Sequence, residues 1–172
     1  NAQYAGATPV PLTLFVGKGG QNITGCNASP TSLSVGGSSA TLRAAGGASG
    51  NAVPYASSPP GVCTVSGKTV TPVSAGICRL TANQAGNASY EAAAPATLTL
   101  TVSQGSQTIT GFSATPNRLN FGGSASLNAI GGASGSPVFY GSSTATVCAV
   151  NGNTVTSLAV GTCTVTASQA GN

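Results

Sequence analysis

The sequence predicts an all-β chain of two tandem β-sandwich repeats of about 85 residues each, and three observations carry that prediction. The chain repeats itself: Cys63 and Cys148 lie 85 residues apart, as do Cys78 and Cys163 and the GGASG runs that begin at Gly46 and Gly131. Valine, isoleucine and leucine alternate with threonine or serine in short runs, the pattern of strands with one face buried. No stretch sustains the 3.6-residue periodicity of an amphipathic helix.

Upstream of residue 40 the offset becomes 86, so that QNITG from Gln21 recurs as QTITG from Gln107 and Pro9 answers to Pro95. One residue has been lost between GGSSATLRAAGG and GGSASLNAIGG. The opening NAQYAGATPVPLTLFV matches NASYEAAAPATLTLTV at the same offset, which puts Asn1 and Asn172 both at the phase of Asn87. Missing such a period would misread the whole architecture.

Only 3% of residues are charged, against about a quarter in an ordinary globular protein. That composition would suit a linker, but a hydrophobic fraction of 40% arranged in alternation does not. The strands expected in chain order include Leu12 to Val16, Val62 to Ser66, Leu98 to Val102, Val147 to Val150 and Thr162 to Ala167, separated by glycine, proline and asparagine. In the last of these, Cys163, Val165 and Ala167 share one face and three threonines the other, as in a half-buried sandwich strand. The chain shows no initiating Met, no signal peptide and no apolar run long enough to span a bilayer, so the expectation is a mature or excerpted soluble region without membrane insertion.

Four of the five cysteines recur at the period, Cys63 with Cys78 and Cys148 with Cys163. Their shared spacing and phase predict one bridge within each repeat, formed in an oxidising, extracytoplasmic compartment. Closing so short a loop contributes about 3 kcal/mol, useful to a small domain with few aromatics. The alternative is a pair of buried free thiols per repeat. Between Cys63 and Cys78 lie a turn at Ser66-Gly67-Lys68, a strand through Val70 and a turn at Ser74-Ala75-Gly76. In one flat meander the two cysteines would sit two strands apart, about 10 Å, too far to bond. The third strand is therefore expected on a facing sheet, the cross-sheet arrangement of an immunoglobulin-like sandwich.

The segments CTVSGKTVTPVSAGICRLTA and CAVNGNTVTSLAVGTCTVTA resemble the C-terminal half of bacterial immunoglobulin-like domains, the repeats of invasin- and intimin-type surface proteins and of very long adhesins. The resemblance implies a sandwich that serves as spacer, structural unit or adhesive module outside the cell. The acidic residues that other surface sandwiches use for calcium or internal isopeptide bonds are lacking.

With no histidine and one carboxylate, Glu91, the sequence offers no acid–base pair, no Ser-His or Cys-His couple and no metal-ligand cluster. The expectation is a non-enzyme that needs no cofactor. SGKTV at Ser66 to Val70 has the ending of a phosphate loop but lacks its first glycine, Val62 standing there, and a hairpin turn accounts for the same residues. The net charge of +4 raises nucleic acid as a partner. Lys18, Arg43, Lys68, Arg79 and Arg118, however, are answered by Gln104, Asn128, Asn153, Thr164 and Ser32 in the other copy, so no basic stripe recurs and scattered solubilising charge is expected instead. Tyr4 and Tyr90, and Tyr55 and Tyr140, do recur, which points to packing. Asn22, Asn27 and Asn87 head glycan-acceptor triplets, which also arise by chance in so Asn- and Thr-rich a chain. The odd cysteine, Cys26, answers to Phe112, so a buried free thiol is expected ahead of an intermolecular bridge.

If a repeat begins at the QxITG strand and closes with TLTLTV, residues 19–104 form a complete domain, residues 105–172 a domain lacking its last strand, and residues 1–18 a last strand without a domain. Val10, Leu12, Leu14 and Val16 then form a polymerisation strand for another sandwich. Head-to-tail association of copies satisfies both defects; a longer covalent array does so equally. The expected function is a structural unit of an extracellular filament or cell-surface stalk, with glycans as further partners. An adhesin module or an accessory module of a secreted carbohydrate-active enzyme are the alternatives. Thiol counting under denaturing, non-reducing conditions should find one free cysteine per chain; four or five would remove the inference of both bridges and compartment.

Overall fold

A computed structural model of the chain describes residues 3–172, so the repeat position of Asn1 lies outside the described residues. The chain divides into two compact units, the first ending at Gly105 and the second running from Ser106 to Asn172. Every element of the described residues is a strand, and none is a helix long and apolar enough to cross a membrane.

Unit 1 holds eight strands: β1 (Thr24–Ser29), β2 (Ser32–Ser34), β3 (Ala40–Ala45), β4 (Tyr55–Ser58), β5 (Cys63–Ser66), β6 (Thr69–Pro72), β7 (Gly76–Ala82) and β8 (Ala96–Ser103). They form two four-stranded sheets, ordered β1-β3-β6-β5 and β2-β8-β7-β4. Alternation sends Ala40 and Leu42 of β3, Val70 of β6, Cys78 and Leu80 of β7, and Leu100 and Val102 of β8 into one dry core. Ser66 pairs with Thr69 across the β5–β6 hairpin. Gly67 makes that turn at φ 57°, a conformation that costs other residues a steric penalty. The Cys63–Cys78 bridge, Cα atoms 5.7 Å apart, ties β5 of one sheet to β7 of the other.

Unit 2 holds six: β9 (Thr110–Thr115), β10 (Ser124–Ile130), β11 (Val138–Ser142), β12 (Cys148–Asn151), β13 (Thr154–Ser157) and β14 (Val165–Gln169). Its first sheet, β12-β13-β10-β9, repeats β5-β6-β3-β1 strand for strand. Its second is only the pair β11-β14, which repeats β4-β7. Counterparts of β2 and β8 are absent from the strands of unit 2. The Cys148–Cys163 bridge recurs with Cα atoms 5.6 Å apart.

Two expected strands differ from the structure, for one reason. Leu12 to Val16 belongs to no strand, and in Thr162 to Ala167 the strand begins only at Val165. In unit 1 the counterparts of residues 161–163, Gly76, Ile77 and Cys78, pair only with β8. Without a β8 they have no ladder to join, and a strand is defined by its partner. Cys26 also departs from expectation, being half-buried instead of buried.

Leu80 is fully buried whereas its counterpart Val165 is half-buried. Leu80→Ala should therefore lower the stability of unit 1 by about 2–5 kcal/mol. Val165→Ala should cost unit 2 about 1 kcal/mol. Urea unfolding of the chain resolves the two, and equal losses would contradict the difference in burial.

Candidate interaction groove

The slot that β8 fills in unit 1 is a groove in unit 2. In unit 1, β8 lies antiparallel to β7 in a register from Gly76↔Val102 to Ala82↔Ala96. On its other side it runs parallel to β2, with Leu33 opposite Val102. Leu100 and Val102 thereby seal Leu33, Cys78 and Leu80 from water. In unit 2 the corresponding Leu119, Cys163 and Val165 are half-buried and line an open cavity of about 330 Å³. Its walls also include Ala114, Ala125, Val147 and Val155, and Phe121 and Val160 stand at its rim, 73% and 92% exposed. A groove left where the other unit seats a strand suits an extended peptide with alternating apolar side chains, because a flanking strand can offer backbone hydrogen bonds while the groove takes every second residue.

The polymerisation-strand residues Val10, Leu12, Leu14 and Val16, with Phe15, are 76 to 97% exposed. They pack against no core of their own chain among the described residues. Fastening of the chain begins just after them, where Gly19 N–H donates to Ser89 O (2.9 Å) and Glu91 N–H donates to Gly19 O (2.9 Å). Tyr90 packs over Gly19, whereas Tyr4, the other tyrosine of that pair, is exposed.

A further set of residues escaped the sequence reading. Gln84, the one buried polar side chain among the described residues, accepts from Gly47 N–H (2.7 Å) and donates to Asn51 O (2.8 Å). Gln21 accepts from Ser49 N–H (2.8 Å) and donates to Glu91 O (2.7 Å) and Ala85 O (3.2 Å). Unit 2 repeats the clasp. Gln169 accepts from Gly132 N–H (2.6 Å), and Gln107 accepts from Ser134 N–H (3.0 Å) and donates to Ala170 O (3.1 Å). The double glycine is part of it, since a Cβ on Gly46 would sit 2.5 Å from Gln84 Nε2 and one on Gly131 2.6 Å from Gln169 Nε2. The recurrence of QAGN and of Gln21 with Gln107 was the available signal. In unit 1 the clasp holds together the end of the sandwich past which the chain leads into β8, Gln21 bonding Glu91 O five residues before that strand.

Of the glycan-acceptor candidates, Asn22 and Asn27 are exposed, Asn27 Nδ2 donating to Gly25 O (2.9 Å). Asn87 is committed to its own loop: Nδ2, the atom a glycan would take, donates to Ser49 O (3.0 Å), and Oδ1 accepts from Ser89 and Tyr90 N–H. Near Cys26, burial first and the neighbouring cysteine second raise the pKa of the Tyr55 hydroxyl above its ordinary value. At the equivalent place in unit 2, Phe112 stacks on Tyr140 with ring centroids 5.9 Å apart.

No protein-family profile and no curated protein sequence matches the chain. Among solved structures it is similar to domains 4–9 of the surface layer protein SbsC, at 14% identity and a TM-score of 0.37, over 87% of this chain and 29% of that one. It is likewise similar to the S-layer protein rSbsC(31-844), at 14% identity and a TM-score of 0.37, over 90% and 27%. The chain thus spans under a third of the length of either.

Gln84→Ala strips Gly47 N–H and Asn51 O of their partners, so it should destabilise unit 1 by about 1–3 kcal/mol. Gln169→Ala should do the same to unit 2. Faster hydrogen exchange at Gly47 and Gly132, respectively, would mark the loss as local; unchanged exchange would rule the clasp out.

Proposed function

We propose that the chain is a structural repeat unit of an extracellular filament or surface stalk, a linear series of immunoglobulin-like sandwiches in which each unit is closed by a strand that leads directly into the next. The open groove of unit 2 carries this reading. It has the lining that unit 1 presents to β8, and in unit 1 the residues after β8 run straight on into unit 2. A series assembled this way needs a strand passed forward at every junction and no catalytic group. One disulfide per unit supports an oxidising location outside the cytoplasm. A surface carrying few charges and many Ser, Thr and Asn hydroxyls and amides suits a scaffold more than a binding patch.

The test joins copies covalently at the repeat phase, so that Asn172 is followed by residue 2 of the next copy and the match to Asn87 is preserved. Unit 2 of the leading copy should gain stability approaching that of unit 1, since burying three Leu or Val side chains contributes about 4–9 kcal/mol before ordering costs. Electron micrographs of two-copy and four-copy fusions should show unbranched rods whose length doubles. Globular particles, or a unit 2 no more stable than in the single chain, would overturn the reading.

A further inference from the structure

We infer that the joint between the two units is at most one residue long, Ser106, because unit 1 grips the outgoing chain as far as Gly105 and unit 2 takes hold of it at Gln107. None of this depends on what fills the groove of unit 2.

The grip of unit 1 outlasts its last strand. β8 ends at Ser103, whose carbonyl accepts from Val35 N–H (3.0 Å) and whose Oγ donates to Leu33 O (3.1 Å). Backbone and side chain of one residue are thus tied to β2 and to the turn that follows it. Two residues on, Gly105 lies so close to that turn that a Cβ on it would sit 2.5 Å from Val35 O, nearer than non-bonded atoms approach. Gly105 is not among the glycines with positive φ, so the close approach, and not an unusual backbone conformation, is what calls for glycine here. The chain is held against unit 1 for two residues past the strand.

Unit 2 begins its hold almost at once. Gln107 Oε1 accepts from Ser134 N–H (3.0 Å) and Nε2 donates to Ala170 O (3.1 Å). Its main chain is held as well, since a Cβ on Gly132 would sit 2.7 Å from Gln107 Cβ and 3.1 Å from Thr108 N. Between the two holds stands Ser106, exposed and outside every strand. Any further contact to Ser106 would only shorten the joint.

Two peptide units separate the Cα atoms of Gly105 and Gln107, a reach of at most about 7 Å. Peptide planarity leaves the φ and ψ of Ser106 as the joint's own soft dihedrals, and sterics keep the φ of a serine mostly negative. Units joined this way reorient over a narrow range and add almost no length when pulled.

Distance measurements between the units test the joint. In full-length chains carrying Cys26→Ser, nitroxide labels are placed on Arg43→Cys and Asn128→Cys, exposed counterparts on β3 and β10. The spread of label distances should be narrow. Inserting Gly-Ser-Gly-Ser after Ser106 should broaden it, because a free tether of five residues has a root-mean-square span of about 12 Å. Gly105→Ala should broaden it too, by forcing the chain off Val35 O. The same substitution should speed hydrogen exchange about ten-fold or more at Val35 N–H, which bonds Ser103 O, and leave Leu42 N–H, bonded to Lys68 O, unchanged.

A parent chain whose distances spread as broadly as those of the insertion would overturn the short joint. Unchanged distances together with unchanged Val35 exchange in Gly105→Ala would overturn the grip of unit 1, and equal acceleration at Leu42 would overturn its local character. Covalent fusions can form rods with a short joint or a long one, so this inference and the proposed function fail separately.

Discussion

Unit 1 is a closed sandwich because one strand lies between β2 and β7. Without β8 neither neighbour has a full set of partners: β2 pairs with no other strand, and the first half of β7 pairs only with it. Leu33, Cys78 and Leu80 would then look out on water through the gap. Unit 2 is what that arrangement becomes when the strand is missing. The residues matching β2 are in no strand, β14 starts four residues late relative to β7, and the buried core contracts to Ala125, Leu127, Cys148 and Val155. One absent ladder accounts for all three changes, because hydrogen-bond partners and burial are supplied by the same element.

The disulfides and the glutamine clasp hold the frame that such a strand enters. Cys148–Cys163 keeps β12 joined to the segment before β14 even where that segment has no neighbouring strand. Gln169 and Gln107 knit the double-glycine loop to the other end of the sheet. A groove held at both ends is preorganised, and an incoming strand orders mainly itself. The absence of side chains on Gly46, Gly47, Gly131 and Gly132 is as much a part of this as the glutamines, since each lies against a clasp residue.

Much of this was legible in the sequence. The period, the alternation in β8, the hairpin at Ser66-Gly67-Lys68 and the placing of Cys63 and Cys78 on facing sheets all follow from local chemistry. What failed was confined to residues whose structure is decided elsewhere. Leu12 to Val16 and Thr162 to Thr164 carry a strand's pattern, but a pattern states only which face would be buried and not whether a partner is there to bury it. Cys26 was expected inside because Phe112 replaces it, yet Cys26 is only half-buried and Phe112 is partly exposed and stacked on Tyr140, so the position lies at the margin of the core. The clasp was missed for the opposite reason. A buried glutamine is recognisable only through the backbone groups it satisfies, and those lie more than thirty residues away in sequence.

The cross-sheet bridge has a mechanical meaning. A pull applied at Ser103 along β8 would load the whole seven-residue ladder with β7 in shear instead of peeling it bond by bond. Should that ladder slip, the fifteen-residue span from Cys63 to Cys78 still cannot pay out, which withholds about 50 Å of contour length from extension. The bridge therefore shortens the length that unit 1 can release, while the residues on either side of the bridged span stay free to extend.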